Sequence, residues 1–203
     1  MPVAMTLCDR SPAMVQAWKH YFSDDSGVKV ANQNILTLPV DALAVPANAF
    51  GFTDGGVDLA ISQEIFDWRL QDTLRGQIER DHGGELLVGQ ALVMPTNSAR
   101  LRYVVVAPTM RVPADVSGTV NAYLAMRALL RAVEAHNRAT KSALGDQIRS
   151  LAVPGLCTGT GQMPAERAAY QMWTAYRSII LGDLDWSKTI EKQIDHDKKM
   201  RQK

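Results

Sequence analysis

Apolar positions along the chain fall into short blocks separated by longer stretches with helical spacing. MTLCD, GVKVAN, ALVMP and LRYVVVAP read as strands, and IRSLAVPG as the last of them. VDALAVPA is apolar on both faces, as in strands buried inside parallel sheets. Between these blocks lie amphipathic helices. Ser11 caps and Pro12 opens the first, whose apolar face carries Met14, Val15, Trp18 and Tyr21. A second follows the loop AFGFTDGG, with Val57, Ile61, Ile65 and Trp68 along one stripe. A third runs from about Thr119 to His136 and buries Tyr123, Met126, Leu130 and Val133; the last long one, AERAAYQMWTAYRSII, follows the loop CTGTGQMP. Alternating strand and helix signals predict a layered α/β domain rather than a bundle or a sandwich.

Beyond Ile180 the pattern changes. Residues 183–203 carry six Lys/Arg and five Asp/Glu among few apolar residues, which predicts a mixed-charge surface helix or a frayed tail. No repeat or Pro- or Gly/Ser-rich linker interrupts the rest. The expected organisation is one domain over 1–182, with an extra strand and helix at 3–22, followed by the charged segment 183–203.

Composition narrows the classes. With 203 residues and 46% hydrophobic positions the chain can bury about 70% of its unfolded surface, which excludes a disordered polypeptide. Lys and Arg total 22 against 21 Asp and Glu; a net charge of +1 gives no general attraction for long nucleic acid. No apolar run approaches the ~20 residues of a membrane-spanning helix, and the start MPVAMTLCDRSPAM lacks a secretory pattern, so no membrane partner and a cytoplasmic location are expected. Cys8 and Cys157 stand far apart, and His20, His82, His136 and His196 have no metal-ligand spacing. The residues call for no metal and no cofactor.

The two Gly-rich loops carry the candidate chemistry. In each, a buried strand ends, the chain turns through small residues, and a helix begins; in open α/β sheets such loops lie beyond the carboxyl ends of the strands. Backbone N–H groups there, with the positive end of the following helix, cradle an anion without Lys or Arg. Gly55 and Gly56 open one helix, and Thr158-Gly159-Thr160-Gly161 precedes the other. Together they suggest a pyrophosphate clamp, although neither loop fits GxGxxG or the Walker pattern.

VDALAVPANAFGFTDGGVDLAI resembles the signature of macrodomains, ADP-ribose-binding modules that typically read VDAIVNAAN, a short spacer, then GGGVDGAIH, in gap-free register from Val40 to Ile61. LAVPGLCTGTGQMPAERAA is similar to the family's second loop, FPAISTGVYGYP, and its Ala-rich helix; GELLVGQALVMP and RYVVVAPT lie between, where the family has its GEAxxT and YVIH strands. The likeness spans residues 28 to 180. It implies a three-layer α/β/α sandwich with a mixed, mostly parallel sheet and an ADP-ribose cleft at its crest.

By the same resemblance, Asn34 and Ile35 stand where the family reads adenine. Gly55, Gly56 and Val57 correspond to the first phosphate loop, and Gly155, Cys157, Thr158, Gly159, Thr160 and Gly161 to the second, with Cys157 as a buried packing residue rather than a nucleophile. Asn48, with Ala47 beside it, would orient the distal ribose, and Asp58 would activate water near its anomeric carbon. An amide can donate and accept at a ribose, and a carboxylate can take a proton.

Several positions depart from the pattern. Val45 replaces the first asparagine of NAAN, Pro46 adds a rigid bend, Thr53 and Asp54 replace glycines, and Ser62 stands where hydrolases often carry histidine. Gly161 replaces the usual Phe or Tyr over the distal ribose, which opens the pocket unless Phe50, Phe52 or Met163 supplies the bulk. Gly55, Gly56, Gln63 and Glu64 echo poly(ADP-ribose) glycohydrolases, but Ile65 replaces the second glutamate and the echo is coincidental. Because LGDLDWSKTIEKQ is not strand-like, MTLCD is expected to take the place in the sheet that the C-terminus fills elsewhere.

The resemblance implies a hydrolase acting at the distal ribose of a mono-ADP-ribosyl ester, O-acetyl-ADP-ribose or ADP-ribose 1''-phosphate, with ADP-ribose or a related nucleotide and an ADP-ribosylated protein as partners. The competing reading is a module that binds ADP-ribose or an NAD metabolite without turnover. A phage-associated structural role ranks below both.

Overall fold

The computed structural model describes residues 3–24, 27–52, 68–96, 98, 100–141 and 144–203. Among them six strands, β1 (Ala4–Cys8), β2 (Val28–Ala31), β3 (Ala42–Asn48), β4 (Leu92–Pro95), β5 (Tyr103–Met110) and β6 (Ser150–Val153), form one sheet in the order β2-β1-β6-β3-β5-β4. All neighbours are parallel except β4 and β5. The MTLCD segment sits inside the sheet as β1, hydrogen-bonded to β2 on one side and β6 on the other.

Strand alternation divides the core in two. Met5, Leu7, Ala42, Ala44, Val105, Ala107, Leu151 and Val153 point to one face and pack with α1 (Pro12–Tyr21), α3 (Asn121–Ala139) and α4 (Ala165–Ile180). Cys8, Leu43, Val45, Val104, Val106 and Ala152 point to the other, under α2 (Trp68–His82) and a 3-10 turn at Ile35–Thr37. These are the three layers of an α/β/α sandwich. Both faces of the central strands are covered, which is why β3 and β5 read as continuous apolar runs.

The ends of the elements follow local chemistry. Ser11 Oγ accepts from the Met14 amide at 3.4 Å and Pro12 occupies the first turn of α1, where a missing N–H costs nothing. Helix α2 runs from Trp68, the last position of the expected stripe, to His82, burying Leu74 and Ile78, and ends where Gly83 takes φ 62°. The stripe positions Val57, Ile61 and Ile65 lie outside the described residues.

The charged C-terminal segment forms α5 (Ile190–Gln202), capped by Thr189 Oγ1 on the Lys192 amide at 3.3 Å, and its Met200 is buried. The pairs Asp195–Lys199 at 2.6 Å and Asp197–Arg201 at 2.7 Å lie one turn apart on its surface. Met200 anchors it more firmly than its composition suggests.

Pro46 does not bend β3 out of the sheet: it stays in register opposite Ala107. The next carbonyl, Ala47, faces β5 and accepts from Thr109 Oγ1 at 3.5 Å, so Pro46 presents its missing N–H to the β6 side. There the β3–β6 pairing has already ended at Leu43. β6 itself ends at Val153, so the chain that follows it leaves the sheet at the crest.

Candidate ligand-binding site

The carboxyl ends of β1, β6, β3 and β5 stand side by side at the crest. Asn48 closes β3, and the segment Gly155–Gly161 follows β6 at the same end of the sheet.

Asn48 organises its own turn. Its side-chain oxygen accepts from the amides of Phe50 at 3.0 Å and Phe52 at 3.1 Å, and its carbonyl accepts from Gly51 at 3.2 Å. The oxygen expected to accept from a ribose is therefore committed to the loop, and the side-chain amide donates to no described residue. Ala47, beside it, is buried against the second core. Ala49 ties this loop to its neighbours, donating to the Arg111 carbonyl at 3.1 Å and accepting from Leu86 at 2.8 Å. Arg111 grips Glu85 through Nε at 3.0 Å and Nη2 at 2.5 Å, holding that carboxyl below the usual range, and lies over the Phe50 ring. Phe52 is exposed under Arg75.

The second loop presents a run of backbone donors. Gly155 donates to Asp9 Oδ2 at 3.1 Å, Gln162 to the Gly159 carbonyl at 2.9 Å and Met163 to the Cys157 carbonyl at 2.9 Å. No described residue accepts from the amides between them, Leu156 to Gly161. The loop leads directly into α4, whose first turn adds the positive end of a helix dipole. Thr158 is half-buried, while Gly159 and Thr160 are exposed. Successive unengaged N–H groups in a turn form an anion-binding concavity.

Cys157 takes φ 66°, an unusual conformation for a residue with a side chain. Its thiol is buried, 3.9 Å from the Thr109 carbonyl, and burial pushes it up to about 12. It packs and does not ionise near neutrality, as expected.

Gly161 differs from expectation. It leaves no vacancy where a ring would sit, because a Cβ there would lie 2.6 Å from the Cys157 carbonyl oxygen and 2.8 Å from Val116 Cγ2. Val116 fills the space and donates to the Gly161 carbonyl at 3.0 Å. Met163 is 2% exposed and packs within the core, so it does not supply the missing bulk, while Phe50 and Phe52 lie in the turn that follows Asn48.

Asn34 and Ile35 follow β2. The Asn34 side-chain oxygen caps the 3-10 turn by accepting from Leu36 at 3.2 Å, and Ile35 is buried with Leu43 and Val45. The segment is drawn toward the crest by Asn32, whose Nδ2 donates to the Asp9 carbonyl at 2.9 Å. Gly55, Gly56, Val57 and the proposed base Asp58 lie outside the described residues, as do Thr53, Asp54, Ser62, Gln63, Glu64 and Ile65.

Asp9 is the residue that motif reading missed. Its carboxylate accepts from Ser11 at 2.8 Å and from Gly155 across the sheet, joining the ends of β1 and β6. A Cβ on Gly155 would lie 2.9 Å from Asp9 Oδ2 and 2.8 Å from Thr158 Oγ1, so a side chain there would have to displace both groups. The DRSP sequence before α1 is the one signal that hints at this turn.

The family model for the macro domain matches residues 44–172, from the start of β3 into α4. The chain belongs to the macro domain family. This family binds ADP-ribose. An uncharacterized protein of Aquifex aeolicus is 28% identical over 180 residues, covering 80% of this chain and 97% of that protein. The macrodomain of Mycobacterium tuberculosis DarG shares the fold with a TM-score of 0.54 at 19% identity, over 71% of this chain and 86% of that one. For the macrodomain of Thermus aquaticus DarG the TM-score is 0.54 at 21% identity, over 75% and 89%. The Oceanobacillus iheyensis macrodomain solved with ADP gives 0.53 at 16% identity, over 74% and 75%. No helix among the described residues is long and apolar enough to cross a membrane.

Proposed function

We propose that this macrodomain binds ADP-ribose or a derivative at the crest between β3 and β6 and hydrolyses a bond at the distal ribose. The observation that carries the binding is the row of amides from Leu156 to Gly161 that no described residue engages, at the end of the sheet where Asn48 closes β3. A diphosphate spreads two negative charges over several oxygens. A row of fixed N–H dipoles backed by a helix start matches it without side-chain cations.

For the chemistry, the Asn48 side-chain amide donates to a hydroxyl of the distal ribose, its orientation fixed by the two turn amides that hold its oxygen. Asp58 takes a proton from water as the water oxygen attacks the anomeric carbon. The bond from that carbon to the leaving oxygen breaks, the leaving group departs with the electron pair as a carboxylate or phosphate anion, and Asp58 returns its proton to solvent. Positioned proton transfer of this kind contributes roughly 10² to 10⁴ in rate. The leaving groups proposed at the anomeric carbon are an acidic side chain of a modified protein or phosphate; for O-acetyl-ADP-ribose the water attacks the acetyl carbonyl instead, and the ribose oxygen leaves and takes the proton.

A second reading, binding without turnover, is favoured by one observation: the Asn48 oxygen is spent on its own turn and cannot also accept strongly from substrate. Incubation with mono-ADP-ribosylated protein and O-acetyl-ADP-ribose separates the two. Release of ADP-ribose by the wild type, with a ~10²-fold or larger loss in Asp58→Ala and Asn48→Ala, is the expected result. Retained ADP-ribose binding with no release in the wild type refutes the hydrolase and leaves the binding module.

A further inference from the structure

The loop between β5 and α3 is held at four consecutive carbonyls. Val116 O accepts from Thr119, through its amide at 3.0 Å and its hydroxyl at 2.7 Å. The next three are gripped by side chains from the C-terminal part of the chain. Arg167 of α4 donates to Ser117 O at 2.7 Å, Arg201 of α5 to Gly118 O at 2.9 Å, and Gln171 of α4 to Thr119 O at 2.8 Å.

Gln171 is fully buried and makes two further bonds. Its Nε2 donates to the Met200 carbonyl at 3.0 Å, and its Oε1 accepts from the Tyr123 amide at 3.1 Å. One side chain thus joins the last turn of α5, the loop at Thr119 and the first turn of α3. The same loop carries Val116, whose amide holds the Gly161 carbonyl and whose methyl group fills the space above Gly161. An unbroken set of contacts runs from Met200 and Arg201, through Gly118 and Thr119, to Val116 and Gly161.

We infer that α5 is a brace for the anion-binding loop, with Arg201 and Gln171 as positioning residues that act through Val116 on the amides of Leu156 to Gly161. The inference builds on the proposed nucleotide site. The physical reason is geometric: a row of amides binds a diphosphate only while their N–H vectors converge, and Gly161 has no side chain to hold its own position. Val116 supplies that restraint from outside the loop, and α5 restrains Val116. The charged segment beyond residue 183 then has a purpose at the crest although it lies outside the family match.

Arg201 is exposed and paired with Asp197, so Arg201→Ala removes the Gly118 contact without opening the core. Amide hydrogen exchange of the full chain is compared for wild type, Arg201→Ala and Arg201→Lys, together with calorimetric titrations of ADP-ribose and adenosine. In Arg201→Ala, exchange is expected to speed up at the hydrogen-bonded amides of Val116, Thr119, Gln162 and Met163, which hold the two loops, but not in β3 or β5. ADP-ribose affinity should fall about 2- to 30-fold while adenosine affinity holds, because adenosine has no diphosphate. Arg201→Lys, which keeps a donor for Gly118 O, should recover part of both effects. Gln171→Glu replaces the amide donor by an acceptor and should show the same pattern more strongly. Unchanged exchange at Val116, Gln162 and Met163 in both Arg201→Ala and Gln171→Glu overturns the brace, as does faster exchange with unchanged ADP-ribose affinity. If the wild type binds no ADP-ribose, the nucleotide reading fails, while the exchange comparison still decides whether α5 restrains the loop.

Discussion

Gly161 shows how a residue can be conspicuous in a sequence for one reason and required in the structure for another. In the motif it reads as a missing ring; in the fold it is the point where the second loop closes against Val116 and the Cys157 carbonyl. A methyl group there must displace backbone, so Gly161→Ala is expected to destabilise the domain by about 1–3 kcal/mol, read as a lower midpoint in chemical denaturation. Unaltered stability would mean that the loop does not close on Val116 in solution. Asn48 has the converse character. The property that makes asparagine a good turn former, an oxygen reaching amides two and four residues on, is what aims its remaining donor outward. Asp9 was invisible to motif reading because its partner Gly155 is 146 residues away, and neither periodicity nor local spacing encodes such a pair.

Secondary elements were more legible than their attachments. Capping at Ser11, the apolar stripes of α1, α3 and α4, and the doubly apolar strand β3 follow from short-range rules. What those rules miss is the docking of α5, whose charged sequence conceals Met200 and His196. His196 stacks on Trp186 at 4.4 Å and meets the edge of Tyr123 at 5.7 Å, and its buried Nε2 has no hydrogen-bond partner among the described residues. Burial holds this histidine below its ordinary value, outweighing Asp197, Asp183 and Asp195. The folded state therefore binds fewer protons there than the unfolded one, and stability from neutral His196 is lost as pH falls below about 6.5. Asp41 acts in a lower window. Burial pushes its carboxyl up, but Arg102 and the amides of Arg149 and Ser150 outweigh that and hold it below the usual range, giving stability that disappears as pH falls below about 4. Thermal midpoints across pH 7 to 5 are expected to decline less in His196→Phe, which keeps the stack and removes the proton site, than in the wild type. Equal slopes would show that His196 does not titrate against the docking of α5.

At the scale of the molecule, the alternation of strands and helices was enough to give an α/β architecture, and the motif order gave the family. Strand order was not readable in that way. The chain returns from far downstream to insert β6 between β1 and β3, guided by contacts such as Asp41 with the Ser150 amide, 109 residues apart. That insertion matters for the site, because β6 pairs β3 at Ala42 and Leu43 and ends at Val153, so the second loop leaves the sheet at the same end at which Asn48 closes β3. The central claim is that the main-chain amides of Leu156 to Gly161 receive a diphosphate. The measurement that tests it most directly is a residue-resolved amide NMR titration with ADP-ribose. The expected result is a saturable shift of the 156–161 amides and of the Asn48 side-chain amide, with β2 and α5 little affected; resonances at 156–161 that stay fixed while ADP-ribose binds elsewhere, or does not bind, would contradict it.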